Sequence, residues 1–309
     1  MPEPKKLSCN GITLAVYERG EGVPVVLSHG FPELAYSWRH QIAALAGAGF
    51  RAIAPDQRGY GLSDRPPEVE DYDMEQLTGD LVGLLDALDI EKAVFAGHDW
   101  GGLVVWQLPL MHPDRVAGVV GVNTPYLPRG PMSPLAMMKA TMGDNHYIVH
   151  FQKRGEADAA FAADPERVFR KLFRKGIELG EIDFNQPMKN MVEIVQDDDE
   201  RGVPALTDDE IAVYTEAFTR TGFTGPINWY RNLERNWERS AELPQKIDVP
   251  CLMICAANDF ALPPFLAQGM DTWIADLETH TIEDCGHWTQ VEKTGELNAI
   301  LVDWLRRRF

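Results

Sequence analysis

Short runs of Val, Ile, Leu and Ala recur along the chain, separated by longer stretches in which apolar residues return every three or four positions. The runs Ile12–Tyr17, Val23–Ser28, Arg51–Pro55, Ala93–His98, Val116–Val122, Pro250–Ala256 and Thr279–Glu283 predict strands. Several are apolar almost throughout, as suits strands covered on both faces in a mostly parallel sheet. Leucines at 77, 81, 84, 85 and 88 mark a helix over Met74–Leu88. Strand alternating with helix predicts a doubly wound α/β sheet. The alternation stops after Asn123. From about Leu127 to Ser240 the pattern is one of helices and loops, with no convincing strand. Ser133-Pro134 opens one helix, with Pro in its first turn. Thr207 and Glu210 form a capping box for another, which stops near Gly222. Val168, Phe169, Leu172 and Phe173 give a further helix an apolar face, and the basic residues around it read as solvated. Alternation resumes at Ile247. The organisation expected is an α/β core, residues 1–126 and 241–309, carrying a helical lid over 127–240.

Charge narrows the function classes. The 309 residues include 29 Lys+Arg against 47 Asp+Glu, a net charge of −18. Such a chain repels phosphate backbones and anionic membrane surfaces, which excludes a nucleic-acid role. Hydrophobic residues make up 45% and charged residues 25%, the composition of a soluble globular protein. That length buries a core without help from a metal or a disulfide. The cysteines Cys9, Cys251, Cys255 and Cys285 form no CxxC pair, and Cys251 and Cys255 share one strand face as small apolar residues. The first residues show no apolar leader segment, and no run of about 18 apolar residues occurs. A cytoplasmic setting is therefore expected.

The segment richest in chemistry is Ala93–Gly102. An apolar strand runs into Gly97-His98-Asp99-Trp100-Gly101, and a helix pattern follows over Leu103–Leu108. This is the layout of a nucleophile elbow, a strained strand-to-helix turn that exposes one side chain. The flanking glycines let strand and helix crowd together. The apex is Asp rather than Ser. A carboxylate is anionic at neutral pH and attacks without a base, forming an ester at an alkyl carbon. It suits the opening of a strained ring or the displacement of halide, not acyl transfer. An acid at a helix start also serves as an N-cap, and Asp99 by itself admits that reading.

Two more strand ends weigh on the choice. Pro250–Ala256 leads into Asp259, and Thr279–Glu283 leads into His287. The chain order is then nucleophile, acid, base, each at the carboxyl end of a strand, where ligands gather in open α/β sheets. In that arrangement His287 activates water, while Asp259 orients the imidazole and stabilises its charged form. After Val23–Ser28, Gly30 permits a tight bend, and the backbone N–H of Phe31 pairs with that of Trp100 as a candidate oxyanion hole. The same residues also read as an ordinary loop with a cis bond before Pro32.

HGFPE at 29–33, RGYGLSD at 58–64, GHDWGG at 97–102, NDF at 258–260 and CGHW at 285–288 closely resemble the α/β-hydrolase-fold epoxide hydrolases. The resemblance runs from about residue 10 to residue 305 and matches the hydrolase domain of the soluble animal enzymes. No counterpart to their additional N-terminal phosphatase domain is expected. The resemblance implies the α/β-hydrolase fold: a mostly parallel sheet flanked by helices, with an inserted helical cap. Residues 223–232, FTGPINWYRN, resemble the lid motif that carries a catalytic tyrosine, which falls on Tyr230. A second lid tyrosine, ahead of Phe151-Gln152, falls on Tyr147. Phenols with a pKa near ~10 stay protonated at neutral pH and can protonate the alkoxide of an opened ring. Without the resemblance both read as ordinary amphipathic lid residues.

The reaction this implies is hydrolysis of an apolar small-molecule epoxide to a vicinal diol through an ester on Asp99. It needs no cofactor, no metal and no insertion into a membrane. A haloalkane or haloacid dehalogenase would use the same Asp, His and acid. Haloalkane dehalogenases typically carry Asn where Phe31 stands. Fluoroacetate dehalogenases carry arginines beside the nucleophile, where this chain has Trp100 and Leu103, and a His where Tyr147 stands. A ligand-binding protein on a retired hydrolase scaffold is the third reading, since fold does not fix function. His146 and His150 share a helix face without an evident carboxylate partner and do not read as a metal site. Met132, Met137, Met138 and Met142 read as core filling, and the acidic run 197–200 as a solvated loop.

Overall fold

Strands apolar almost throughout need cover on both faces, and the computed structural model supplies it; the structure describes residues 1–177, 189–198 and 201–309. Ten strands occur among the described residues: β1 (Lys5–Cys9), β2 (Ile12–Arg19), β3 (Pro24–Ser28), β4 (Arg51–Asp56), β5 (Ala93–His98), β6 (Val116–Val122), β7 (Arg174–Lys175), β8 (Val203–Pro204), β9 (Cys251–Ala256) and β10 (Leu277–Ile282). Eight of them form one sheet in the order β1-β2-β4-β3-β5-β6-β9-β10. In this sheet β1 and β2 pair antiparallel, as do β2 and β4, and its other pairings are parallel.

Successive side chains alternate between faces. Val25, Leu27, Val94, Ala96, Val120, Leu252 and Ile254 face one way. They pack on α1 (Arg39–Gly47) and α13 (Thr294–Arg308) through Ile42, Leu45, Leu297, Leu301 and Trp304. Val26, Ile53, Phe95, Val119 and Met253 face the other way. They meet α2 (Met74–Ala87) and α3 (Trp100–Met111) through Leu81, Leu84, Val105 and Leu108. The chain leaves β3 for β4 on one side and returns to β5 on the other. The strand order therefore reverses between β3 and β5, and the crevice at their carboxyl ends is where such sheets bind ligands.

Helices inserted between β6 and β9 cover that end. They are α4 (Pro134–Met142), α5 (Tyr147–His150), α6 (Glu156–Ala163), α7 (Pro165–Leu172), α8 (Met191–Gln196), α9 (Asp208–Thr221), α10 (Thr224–Arg231) and α11 (Leu233–Arg239); a short α12 (Thr289–Glu292) precedes α13. The caps expected at Ser133 and Thr207 form: Ser133 accepts from the Ala136 amide, and Thr207 and Glu210 bond reciprocally. The third helix begins at Trp100, earlier than its apolar residues suggest.

Three expectations are corrected. β1 was not foreseen, because Lys5, Lys6 and Ser8 break its apolar pattern at the sheet edge. The insertion holds the two-residue strands β7 and β8, too short to leave a period. Met132, Met137 and Met142 are about half exposed, at 50%, 48% and 50%, so they do not fill the core, while Met138 is half-buried against it; α4 fully buries none of its residues. In the acidic run 197–200, residues 199 and 200 lie outside the described residues, and Asp198 is exposed beside Arg167 at 3.0 Å. All four cysteines are buried and free. Among the described residues no helix is long and apolar enough to cross a membrane.

Candidate active site

Asp99 stands at the junction of β5 and α3 with φ 50° and ψ −121°. A non-glycine residue there costs on the order of 1–3 kcal/mol, and it persists only where the surroundings enforce it. Here they do. A Cβ on Gly97 would strike the carbonyl of Gly101, and a Cβ on Gly101 would strike that of Ser28. Helix, β5 and β3 thus meet backbone to backbone. The Asp99 side chain makes no capping bond to α3. It accepts instead from the Phe31 amide at 2.8 Å, with the Trp100 amide next to it in the chain. Gly30 is needed for a different reason from the bend expected of it. Its φ is not positive, and a Cβ there would collide with the Asp99 carboxylate. The Phe31–Pro32 bond is cis.

Asp259 follows β9 and His287 follows β10, both buried. His287 Nδ1–H donates to Asp259 Oδ2 at 2.9 Å, and Nε2 lies 3.8 Å from Asp99 Oδ2. Burial alone would raise the Asp259 pKa. The His287 charge and donors from Asn123, at 2.6 Å, and the Leu262 amide, at 3.0 Å, instead hold it at about 2. Burial alone would lower His287, but Asp259 first and then Asp99 and Glu33 push it up to about 9. Burial raises Asp99 above its ordinary range, opposed by His287, His98 and the two amides.

Sequence reasoning missed two supports. Asn123, in the left-handed region at φ 63°, donates to Asp259 and to the His287 carbonyl at 3.2 Å, while Thr289 donates to its Oδ1 at 2.7 Å. An Asn just past a strand end was the available signal, since Asn tolerates that backbone. The second support joins HGFPE to GHDWGG. Glu33 accepts from the Gly30 amide at 2.8 Å and lies 2.8 Å from His98 Nδ1; His98 Nε2–H donates to the His287 carbonyl at 2.7 Å. Despite burial, the His98 contact and the Gly30 amide hold Glu33 at about 2. The motifs contained both residues, but nothing in their spacing pairs them.

Tyr230, in α10, lies edge-on to Trp100 at 4.9 Å and to Phe31 at 5.3 Å, the residue after Asp99 and the residue whose amide binds it. Tyr147, at the start of α5, is 5.9 Å from Tyr230 between ring centres, the two rings nearly perpendicular. Burial and then the nearby acids raise Tyr147; burial, Tyr147 and Asp99 raise Tyr230, so both phenols hold their protons. The structure thus brings Asp99, His287, Asp259, Phe31, Trp100, Tyr147 and Tyr230 to one end of the sheet. His150 does have a carboxylate neighbour, Glu156 at 3.3 Å, contrary to expectation. Among the described residues no group of three or more His, Cys, Asp or Glu is arranged to hold a metal.

Residues 23–294 match the family model for the alpha/beta hydrolase fold. The chain is 44% identical over 299 residues to bifunctional epoxide hydrolase 2 of Rattus norvegicus, covering 96% of this chain and 54% of that protein. It thus spans about half the length of the mammalian relatives it matches. It is also 44% identical to epoxide hydrolase A of Mycobacterium tuberculosis, over 98% of this chain and 97% of that one. The crystal structure of epoxide hydrolase A from Mycobacterium thermoresistibile superposes with a TM-score of 0.93 at 41% identity, covering 99% and 98% of the two chains. A mutant of potato epoxide hydrolase superposes with a TM-score of 0.89 at 31% identity, covering 99% of this chain and 100% of that one.

Proposed function

The chain belongs to the epoxide hydrolase family of the α/β-hydrolase fold, and on that footing we propose that it adds water to a small apolar epoxide through an ester on Asp99. The observation that carries this reading is one carboxylate bonded to the Phe31 amide and 3.8 Å from an imidazole, with Tyr230 packed on Phe31 and Trp100, and Tyr147 packed on Tyr230. Asp99 attacks a ring carbon and the carbon–oxygen bond breaks. Tyr147 and Tyr230 hold the departing oxygen, and one phenol gives it a proton. Two phenols favour an epoxide over an alkyl halide, because an alkoxide needs a proton and a halide does not.

Ester formation cancels the charge on Asp99 and so removes one of the charges that raise His287. His287 then gives its proton to solvent and, as the neutral base, takes one from water, with Asp259 stabilising the imidazolium; solvent recharges it after turnover. The resulting hydroxide attacks the carbonyl carbon of the ester, and the Phe31 and Trp100 amides stabilise the oxyanion. Collapse expels the second alkoxide, which takes the proton from His287. The acid left on Asp99 returns its proton, through solvent, to the phenolate. The sum is epoxide plus water to diol. Residues 127–240 act as the lid that carries the phenols.

The test is vicinal diol formation from an aryl epoxide such as styrene oxide, with Asp99→Ala as the blank. Diol from the wild type that vanishes in the variant is expected. In heavy-oxygen water the first turnover should yield diol carrying ordinary oxygen from Asp99. Full labelling of that first diol, or no diol from well-folded protein on small and bulky epoxides alike, overturns the reading.

A further inference from the structure

We propose that the Arg58–Gly61 turn is a platform that sets the height of Tyr230 over Asp99, with Gly225 and Trp229 as positioning residues; this rests on the role proposed above for Tyr230. The turn follows β4, and the insertion lands on it. A Cβ on Gly225, in the first turn of α10, would lie 2.9 Å from Gly59 Cα, 3.0 Å from Gly59 O and 3.1 Å from the Tyr72 hydroxyl. A Cβ on Gly59 would lie 3.1 Å from the carbonyl carbon of Gly225. The two backbones therefore touch, without the spacing that side chains would impose. Gly225 has no positive φ, so its own backbone does not demand glycine. The contact excludes the Cβ.

One turn further along α10, Trp229 Nε1–H donates to the Arg58 carbonyl at 3.2 Å. Its ring stands perpendicular to Tyr60 at 5.5 Å and nearly perpendicular to Trp100 at 5.8 Å. Trp229 is thus a strut between the turn and the residue that follows the nucleophile. The next residue is Tyr230, which rests on Trp100 and Phe31. The platform is itself anchored. The buried Arg58 guanidinium grips both oxygens of Asp80 in α2, at 2.8 Å and 2.6 Å. Close-packed interiors transmit strain rather than absorb it. A methyl group between Gly59 and Gly225 has to lift α10, and the phenol moves with it.

The platform acts on ring opening alone, because ester hydrolysis uses His287, Asp259 and the two amides, none of them in α10. The experiment is single-turnover rapid quench on Gly225→Ala, following ester formation by intact mass and ester decay separately. Ester formation should slow on the order of 10- to 100-fold, the cost of misplacing a reacting group by a fraction of an ångström to one ångström. Ester decay should change by less than about twofold. Equal slowing of both steps, or no slowing of the first, overturns the proposal. Should Gly225→Ala not fold, Trp229→Phe keeps a ring and deletes only the N–H, and it should slow ester formation about two- to tenfold, the worth of one hydrogen bond. Unchanged ester formation in that variant overturns the proposal equally. A wild type that forms no ester takes down the functional reading and the platform together, whereas an active wild type with unaffected variants takes down the platform alone.

Discussion

His287 is charged because of what faces it. Two carboxylates, Asp259 at 2.9 Å and Asp99 at 3.8 Å, outweigh a burial that by itself would favour the neutral ring, and the balance lies at about 9. Two consequences can be measured. The first is chemical. On the proposed mechanism His287→Gln retains Asp99 and the phenols but has no base, so it should stop at the ester and gain the mass of one epoxide on Asp99. An unchanged intact mass after exposure to substrate counts against the mechanism. The second is thermodynamic. The folded pKa is raised from its ordinary 6.5 to about 9. A raised basic pKa contributes stability that is full below the unfolded value and is lost as pH rises through the folded one. The wild-type melting temperature should therefore fall between about pH 6.5 and pH 9, and His287→Gln should flatten that slope. Parallel slopes in the two proteins would show that other groups cause it.

Elements, rather than single residues, turn the chain's signals into positions. The elbow works because β5, β3 and α3 meet at Gly97 and Gly101, which leaves Asp99 one conformation. In the insertion, where no sheet enforces direction, helix ends matter more. Thr207 and Glu210 close the start of α9, which carries Tyr214 and Phe218 into the core and Glu210 toward Arg39 of α1. Removing the Thr207 hydroxyl leaves an amide of the first turn without its partner. Thr207→Ala should lower unfolding stability by about 1 kcal/mol with little change in activity, as read from denaturant midpoints and diol formation. A loss below a few tenths of that would mean that packing alone holds α9 in place. Elements without such signals escaped sequence reading. β1 pairs along an edge where Lys5 and Lys6 face solvent, and β7 and β8 are two residues each.

At the scale of the whole molecule, the insertion is tied to the core by polar contacts between residues far apart in the chain. Asp73, buried at the start of α2, accepts from Arg235 at 2.9 Å and Arg239 at 2.8 Å in α11; Ser37 and Tyr214 share a hydrogen bond at 2.8 Å; the Trp288 indole donates to the Leu172 carbonyl at 2.8 Å. The sequence by itself determined the doubly wound core and the order of Asp99, Asp259 and His287 along its strand ends. Hydrophobic period and turn chemistry are local, and strand ends in such a sheet all open on one side. It also led to Tyr147 and Tyr230, though only through their resemblance to a known lid. Tertiary structure alone decided the rest. Asn123 behind Asp259, Glu33 behind His98, Gly30 making room for Asp99 and Gly59 against Gly225 are pairs separated by tens to hundreds of residues. The exposure of Met137 and Met142 was settled in the same way, by where α4 lies. A residue's type states what contacts it can make, and only the closed chain states which partner is within reach.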